Sequence, residues 1–150
     1  MRIVVQVVSK AQVKLATKVV SEIKSGYLLL VAIKADDTQE IAAKAAEKIR
    51  NLRIFPDENG KMNLDIVEAK GEILSVSQFT LYADLTTGRR PSFIKNASAV
   101  NAKELYEYFN ECLRNHGLIV KTGVFQEIMQ VSLTNEGPVT VILESEEFSW

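Results

Sequence analysis

This chain of 150 residues is poor in the residues that most often carry chemistry. It has one histidine, His116, and one cysteine, Cys112. A lone cysteine excludes an internal disulfide, and one Cys with one His leaves no Cys/His set for zinc or another metal. A Ser-His-Asp triad would have to use His116, and nothing around that residue argues for it. No apolar run approaches the ~18 residues that span a bilayer, so no membrane partner is expected. The opening Met1-Arg2-Ile3-Val4-Val5 turns polar too soon for a secretory core. Together these absences point to a cytoplasmic protein. A Gly-rich phosphate loop is also missing: Gly60 and Gly88 stand apart as turn glycines. The formal net charge is only -1, which argues against broad, sequence-blind nucleic-acid binding.

What remains is an ordinary globular composition, 47% apolar and 25% charged, in a chain that reads as one domain over 1–150. There is no linker, repeat or low-complexity segment. Arg2–Val8 is rich in β-branched residues and reads as a strand; Val13, Leu15, Val19, Val20 and Ile23 continue the pattern. Lys24-Ser25-Gly26 is a turn. Tyr27–Ile33 is continuously apolar, as in a central strand covered on both faces. Asp37 is the expected N-cap of a first helix, with Glu40 as its capping-box partner and Ile41, Ala45, Ile49 and Leu52 at helical spacing. Asp57-Glu58-Asn59-Gly60 is a turn, and Glu72–Tyr82 reads as a strand. Leu85–Val100 has no regular period, and so long a loop is often functional.

A second helix is expected from about Asn101, with Glu104 as capping partner. Its apolar face is Leu105, Tyr108, Phe109, Cys112 and Leu113, and Gly117 is its C′ residue. Leu118–Val120, Ile128–Leu133 and Val139–Leu143 read as closing strands, the last two joined by Asn135-Glu136-Gly137-Pro138. Seven strands and two helices that do not alternate one-for-one indicate an α+β fold with a mixed, mainly antiparallel sheet.

Few residues stand out for chemistry. His116 sits in the last turn of the second helix, where it faces the negative end of the helix dipole. Cys112 reads as a small core residue. Leu85 to Lys103 holds Arg89, Arg90, Lys95 and Lys103 and no acid, whereas the last seven residues hold Glu144, Glu146 and Glu147 and no base. That basic segment is either a solvated loop or a phosphate contact. In Ser77-Gln78-Phe79-Thr80-Leu81, Gln78 and Thr80 share one face of the expected strand. They are either a solvent edge or the end of a strand with amides free to bind an oxyanion. Gly137-Pro138 is either an ordinary hairpin loop or a close backbone approach, at a bond where a cis peptide costs only about 0.5–1 kcal/mol.

Ser77–Leu81 and Asn135–Thr140 taken together, in this order and in a chain of this length, resemble the D-aminoacyl-tRNA deacylase family. Asn51–Phe55, Gly60–Asn63, Gly88–Phe93 and Met129–Leu133 extend the resemblance over most of the chain. It implies a curved, barrel-like sheet with helices packed outside, a homodimer with its active site at the subunit interface, and no cofactor. The implied reaction is hydrolysis of the ester between a D-amino acid and the 3′ acceptor end of tRNA. Ser77, Gln78, Phe79 and Thr80 would form the catalytic floor. Gly137 and Pro138, joined by a cis peptide, would form a chirality gate reaching into the other subunit, letting glycine pass. Met129 would pack on the terminal adenine, although it reads equally as a core residue beside Val131 and Leu133. Arg89, Arg90 and Lys95 would meet phosphate. Many relatives carry Gln-Arg-Val where this chain has Gln6-Val7-Val8, so another residue, or Gln6, is expected to anchor the Gly-Pro segment. The counterpart of Thr80 has been read as a nucleophile. No base is evident to activate a Thr hydroxyl, which favours assistance by the ribose 2′-hydroxyl instead. A non-catalytic module for RNA ends, and a hydrolase of other acyl esters, are the alternatives. The tail aromatics Phe148 and Trp150 are expected either to pack on a partner or to be disordered.

Overall fold

The computed structural model describes residues 1–148. Trp150 lies outside them; Phe148 is partly buried against this chain's own main core. The elements are β1 (Arg2–Leu15), β2 (Lys18–Ile23), β3 (Gly26–Ala32), α1 (Gln39–Asn51), β4 (Phe55–Pro56), β5 (Met62–Leu64), β6 (Glu72–Ser77), α2 (Ala99–Asn115), β7 (Val120–Thr122) and β8 (Gln130–Glu144). A 3-10 turn, Phe79–Tyr82, follows β6, and another, Ser145–Glu147, follows β8.

β1 organises the sheet. One of its edges pairs with β3 over Arg2–Val8 and with β2 over Ala11–Leu15, while the other edge carries β8 along almost its whole length. These three pairings are antiparallel; β3–β6 and β6–β7 are parallel, so the sheet is mixed. Side chains draw its two ends together: Ser21 Oγ donates to the Thr122 carbonyl at 2.5 Å, and Lys121 Nζ to the Glu22 carbonyl at 2.8 Å. The sheet is thus a nearly closed barrel. β4 and β5 form a separate hairpin, which brings the strands to eight where seven were expected.

Alternation along β1 supplies two cores. Ile3, Val5 and Val7 face the helices, with Tyr27, Ala45, Ile49, Phe109 and Leu113; Val8, Ala11 and Val13 face the barrel interior, with Leu28, Leu74 and Val76. Burying a side chain of this size is worth about 1.5–3 kcal/mol. The two helices therefore cover one outer face of the barrel.

Several boundaries differ from expectation, each for a local reason. Thr38, not Asp37, caps α1, accepting from the Ile41 amide at 3.3 Å. Asp37 is buried instead, taking the Met1 ammonium and the Lys34 amide. Glu40 pairs with Lys44 on the helix surface rather than closing a capping box. α2 starts two residues before Asn101, because the Ser98 hydroxyl accepts from the Asn101 amide. Its deepest face is Tyr106, Phe109, Asn110 and Leu113; Leu105, Tyr108 and Cys112 are only partly buried. The closing strand near 118–120 is shifted to Val120–Thr122. The expected pair of C-terminal strands is one strand, β8, whose ladder to β1 is interrupted between Asn135 and Thr140 and shifts register again between Thr134 and Asn135.

Candidate active site

β3 and β6 run parallel, and their C-terminal ends open the site. Ser77 is in register with Val31, and the Gln78 amide donates to the Val31 carbonyl at 2.8 Å. β3 ends one residue later, so the chain after Gln78 has no ladder to join and curls into the 3-10 turn. The expected strand to Tyr82 is therefore six residues long, Glu72–Ser77. Gln78 and Thr80 still meet, not across a strand face but within the turn, where Gln78 Nε2 donates to Thr80 Oγ1. The amides of Phe79 and Thr80 open this turn, so neither has a partner inside it.

Arg2 braces the same turn. Its Nη1 donates to the Leu81 carbonyl at 2.6 Å, its Nε to Glu144, and its guanidinium lies 4.8 Å from the centroid of the Tyr82 ring. Burial pushes the Tyr82 phenol far above its usual range, helped by Glu144 and Asp37.

The following loop is closed on itself. Asp84 and Ser92 exchange backbone hydrogen bonds at 2.8 and 3.0 Å, and Asp84 Oδ1 accepts from the Thr86 hydroxyl and amide. Those bonds hold the Asp84 carboxyl below the ordinary range. Arg89 and Arg90 lie exposed at the tip beside Gly88. Phe93 returns to meet the half-exposed Phe79 edge-on, with ring centroids 5.0 Å apart. Ala97 and Ala35 then stitch the loop to the extension of β3, donating to the Ile33 and Lys95 carbonyls at 3.1 Å each.

The opposite wall comes from the turn between β7 and β8. Met129 Sδ accepts from the Val124 amide at 3.3 Å and lies over Gly123, where a Cβ would stand 2.6 Å from the sulfur. Only glycine lets the thioether lie there. Phe125 packs on Tyr106 of α2, centroids 6.0 Å apart, and Ile128 is 92% exposed at the rim.

A cavity of about 700 Å³ lies between these walls and brings together Ser77, Gln78, Phe79, Asn96, Phe125 and Met129. Thr80 sits beside it; Arg89, Arg90 and Lys95 are outside its lining. Gly137 and Pro138 are outside it too. They form an exposed bulge in β8, joined by a cis peptide, in the stretch between the pairs Val8–Asn135 and Gln6–Thr140. Gly137 has φ +111, and a Cβ there would come within 2.6 Å of Val139 Cγ2, so the bulge requires glycine. Asn135 clamps the bulge through bonds to Val7 and Val139, and Gln6 reaches the clamp through Thr140. Among the described residues, no group of three His, Cys, Asp or Glu is placed to hold a metal.

A family model described as D-Tyr-tRNA(Tyr) deacylase matches residues 4–144. The chain belongs to this family. The deacylase resemblance of the two motifs is thus matched along almost the whole chain. A D-aminoacyl-tRNA deacylase from Anoxybacillus flavithermus is 55% identical over 145 residues, covering 97% of this chain and 99% of that protein. One from Thermus aquaticus is 50% identical over 147 residues, covering 98% and 97%. Among solved structures, a c-Myc DNA unwinding element binding protein superposes with a TM-score of 0.89 at 38% identity, covering 96% of this chain and 98% of that one. A probable eukaryotic D-amino acid tRNA deacylase has a TM-score of 0.84 at 18% identity, a likeness of fold.

Of the residues named from the sequence, Ser77, Gln78, Phe79 and Met129 line this one cavity. Sequence reading missed Arg2, Gly123 and Asn96. Arg2 and Asn96 gave no local signal. Gly123 could have been noticed, since it is a glycine two residues before an aromatic with no turn motif around it.

Proposed function

We propose that this deacylase hydrolyses the ester of D-aminoacyl-tRNA, and of glycine mischarged on tRNA, as a homodimer in which the partner's Gly137 and Pro138 enter the cavity. The observation that carries the reading is the cavity itself. It joins the turn after Ser77 to the Met129 wall in a chain matched to the family over residues 4–144.

The amides of Phe79 and Thr80 supply two donors for the oxyanion that forms as water attacks the ester carbonyl. The Thr80 hydroxyl accepts from Gln78, and among the described residues no His, Lys or carboxylate is bonded to it. It therefore lacks the base that a nucleophilic Thr requires. The ribose 2′-hydroxyl, already beside the ester in the substrate, positions the water. With an ester as the substrate, positioning plus two oxyanion donors is sufficient chemistry. Met129 supplies a polarisable platform for the terminal adenine. Arg89, Arg90 and Lys95, on the loop that Phe93 ties to Phe79, meet phosphates of the acceptor end.

Two features support the dimer. The Gly137-Pro138 bulge is exposed and takes no part in lining its own cavity, and on the same sheet Leu30, Val4 and Ile142 form an in-register row across three strands, with Ile142 62% exposed. Covering that row with a second copy would seat each bulge near the other cavity. Rigid backbone there clashes with an L side chain and leaves room for hydrogen. A thousandfold rejection needs about 4 kcal/mol, within reach of a steric clash. The test is turnover of D-aminoacyl-tRNA and glycyl-tRNA against the L form, with the mass in solution measured alongside. Turnover by a monomer, or salt-sensitive tRNA binding without turnover, would overturn this reading.

A further inference from the structure

We infer that Asn96 reads the edge of the terminal adenine, an inference that rests on the proposed deacylase reading. Asn96 lines the cavity just before α2. Its Oδ1 is shielded from solvent and has no hydrogen-bond partner among the described residues; its Nδ2 has none either. An amide oxygen left so is a standing cost that a ligand donor removes. The backbone around it is fixed: Asn96 donates its amide to the Phe93 carbonyl at 3.1 Å and bridges to Lys34, so the carboxamide is presented from a rigid segment.

The opposite wall says what it meets. Ala102 also lines the cavity, one turn before Tyr106, whose ring packs on Phe125. The segment from Asn96 to α2 therefore faces the turn carrying Met129. A base lying on the Met129 thioether presents its edge, not its face, to that segment. A free carboxamide matches adenine in both directions, since Oδ1 accepts from the 6-amino group while Nδ2 donates to a ring nitrogen. Guanine and inosine carry an acceptor at the 6-position and break the first of these bonds.

The experiment compares D-tyrosyl esters of adenosine and of purine riboside, which lacks the 6-amino group, for wild type, Asn96→Leu and Asn96→Asp. Wild type should favour the adenosine ester at least about tenfold in kcat/KM, mostly through KM. Asn96→Leu should lose that preference, with KM raised on both esters, because the bond from Nδ2 to the ring nitrogen is lost with either base. Asn96→Asp keeps the acceptor and should keep the preference. Equal cleavage of both esters by wild type, or an unchanged preference in Asn96→Leu, overturns the inference. Failure of wild type to cleave either ester or D-aminoacyl-tRNA would instead overturn the deacylase reading beneath it.

Discussion

Asn135 Nδ2 donates to the carbonyl oxygen of Val7 at 2.9 Å. Val7 is the position at which the family resemblance leads one to expect an arginine. The anchoring that Val7 cannot supply with its side chain thus comes through its backbone. The same nitrogen donates to the Val139 carbonyl at 3.0 Å, and Asn135 Oδ1 accepts from the Thr140 hydroxyl at 3.2 Å. The bulge is tied at both ends by one side chain.

Asn135→Ala should therefore loosen the bulge more than it destabilises the fold. Three neutral hydrogen bonds at a part-exposed site are worth about 1.5–3 kcal/mol together. Selectivity for D over L substrates should fall by about tenfold or more with kcat on the D form nearly unchanged. Asn135→Asp should be worse, because it sets a carboxylate oxygen against two carbonyls. Deacylation rates on both substrates, with urea unfolding as the control, check this.

Gly123→Ala should weaken substrate binding without touching the chemical step. The new methyl would occupy the space of the Met129 sulfur at 2.6 Å and push the thioether from its seat on the Val124 amide. KM should rise by about tenfold with kcat within about twofold. Adding Met129→Ala should relieve the clash and restore stability but not KM, which separates loss of the platform from misfolding.

Arg2→Ala removes the brace on the turn that carries Phe79 and Thr80. The side chain is partly exposed, which limits the stability cost to about 1–2 kcal/mol. The larger effect should be on kcat, since the two amides lose their fixed direction. Arg2→Lys should not rescue it, because one ammonium cannot serve the Leu81 carbonyl and Glu144 while stacking on Tyr82. Single-turnover rates compared with KM for the three proteins test this.

Stability should fall above about pH 10. Burial raises the phenol pKa of Tyr27, Tyr82 and Tyr106. In the unfolded chain these groups ionise near their ordinary value, whereas the folded state holds the proton. Their contribution is complete below that value and is lost as pH rises toward the folded one. The urea midpoint should be flat between pH 8 and 9 and drop by pH 11, with a shallower drop in Tyr82→Phe, which sacrifices no hydrogen bond because Tyr82 Oη has no partner among the described residues.

The parts of this fold legible in the sequence were those fixed by local pattern. Tyr27–Ile33 read as a central strand because apolar residues on both faces leave no solvent side, and β3 is indeed paired on both edges. The turn that follows β6 was legible as a motif but not as a shape. Its curl depends on where β3 stops, which Ser77–Leu81 does not encode. Gly137-Pro138 was misread as a connection because Gly and Pro end most strands; here β1 is long enough for the ladder to resume at Thr140. Arg2 was invisible because its partners, Leu81 and Glu144, lie 79 and 142 residues away. Asp37 looked like a cap because its chemistry suits one; only the fold shows the Met1 ammonium waiting beside it.

The most direct measurement is the deacylation of D-Tyr-tRNA against L-Tyr-tRNA at catalytic enzyme concentration, for wild type and Gly137→Ala. The account expects rapid loss of the D form alone in wild type, and a Gly137→Ala protein that is impaired or less selective, because its Cβ would collide with Val139 and displace the bulge. Equal rates on the D and L forms, or no turnover of either, would contradict it.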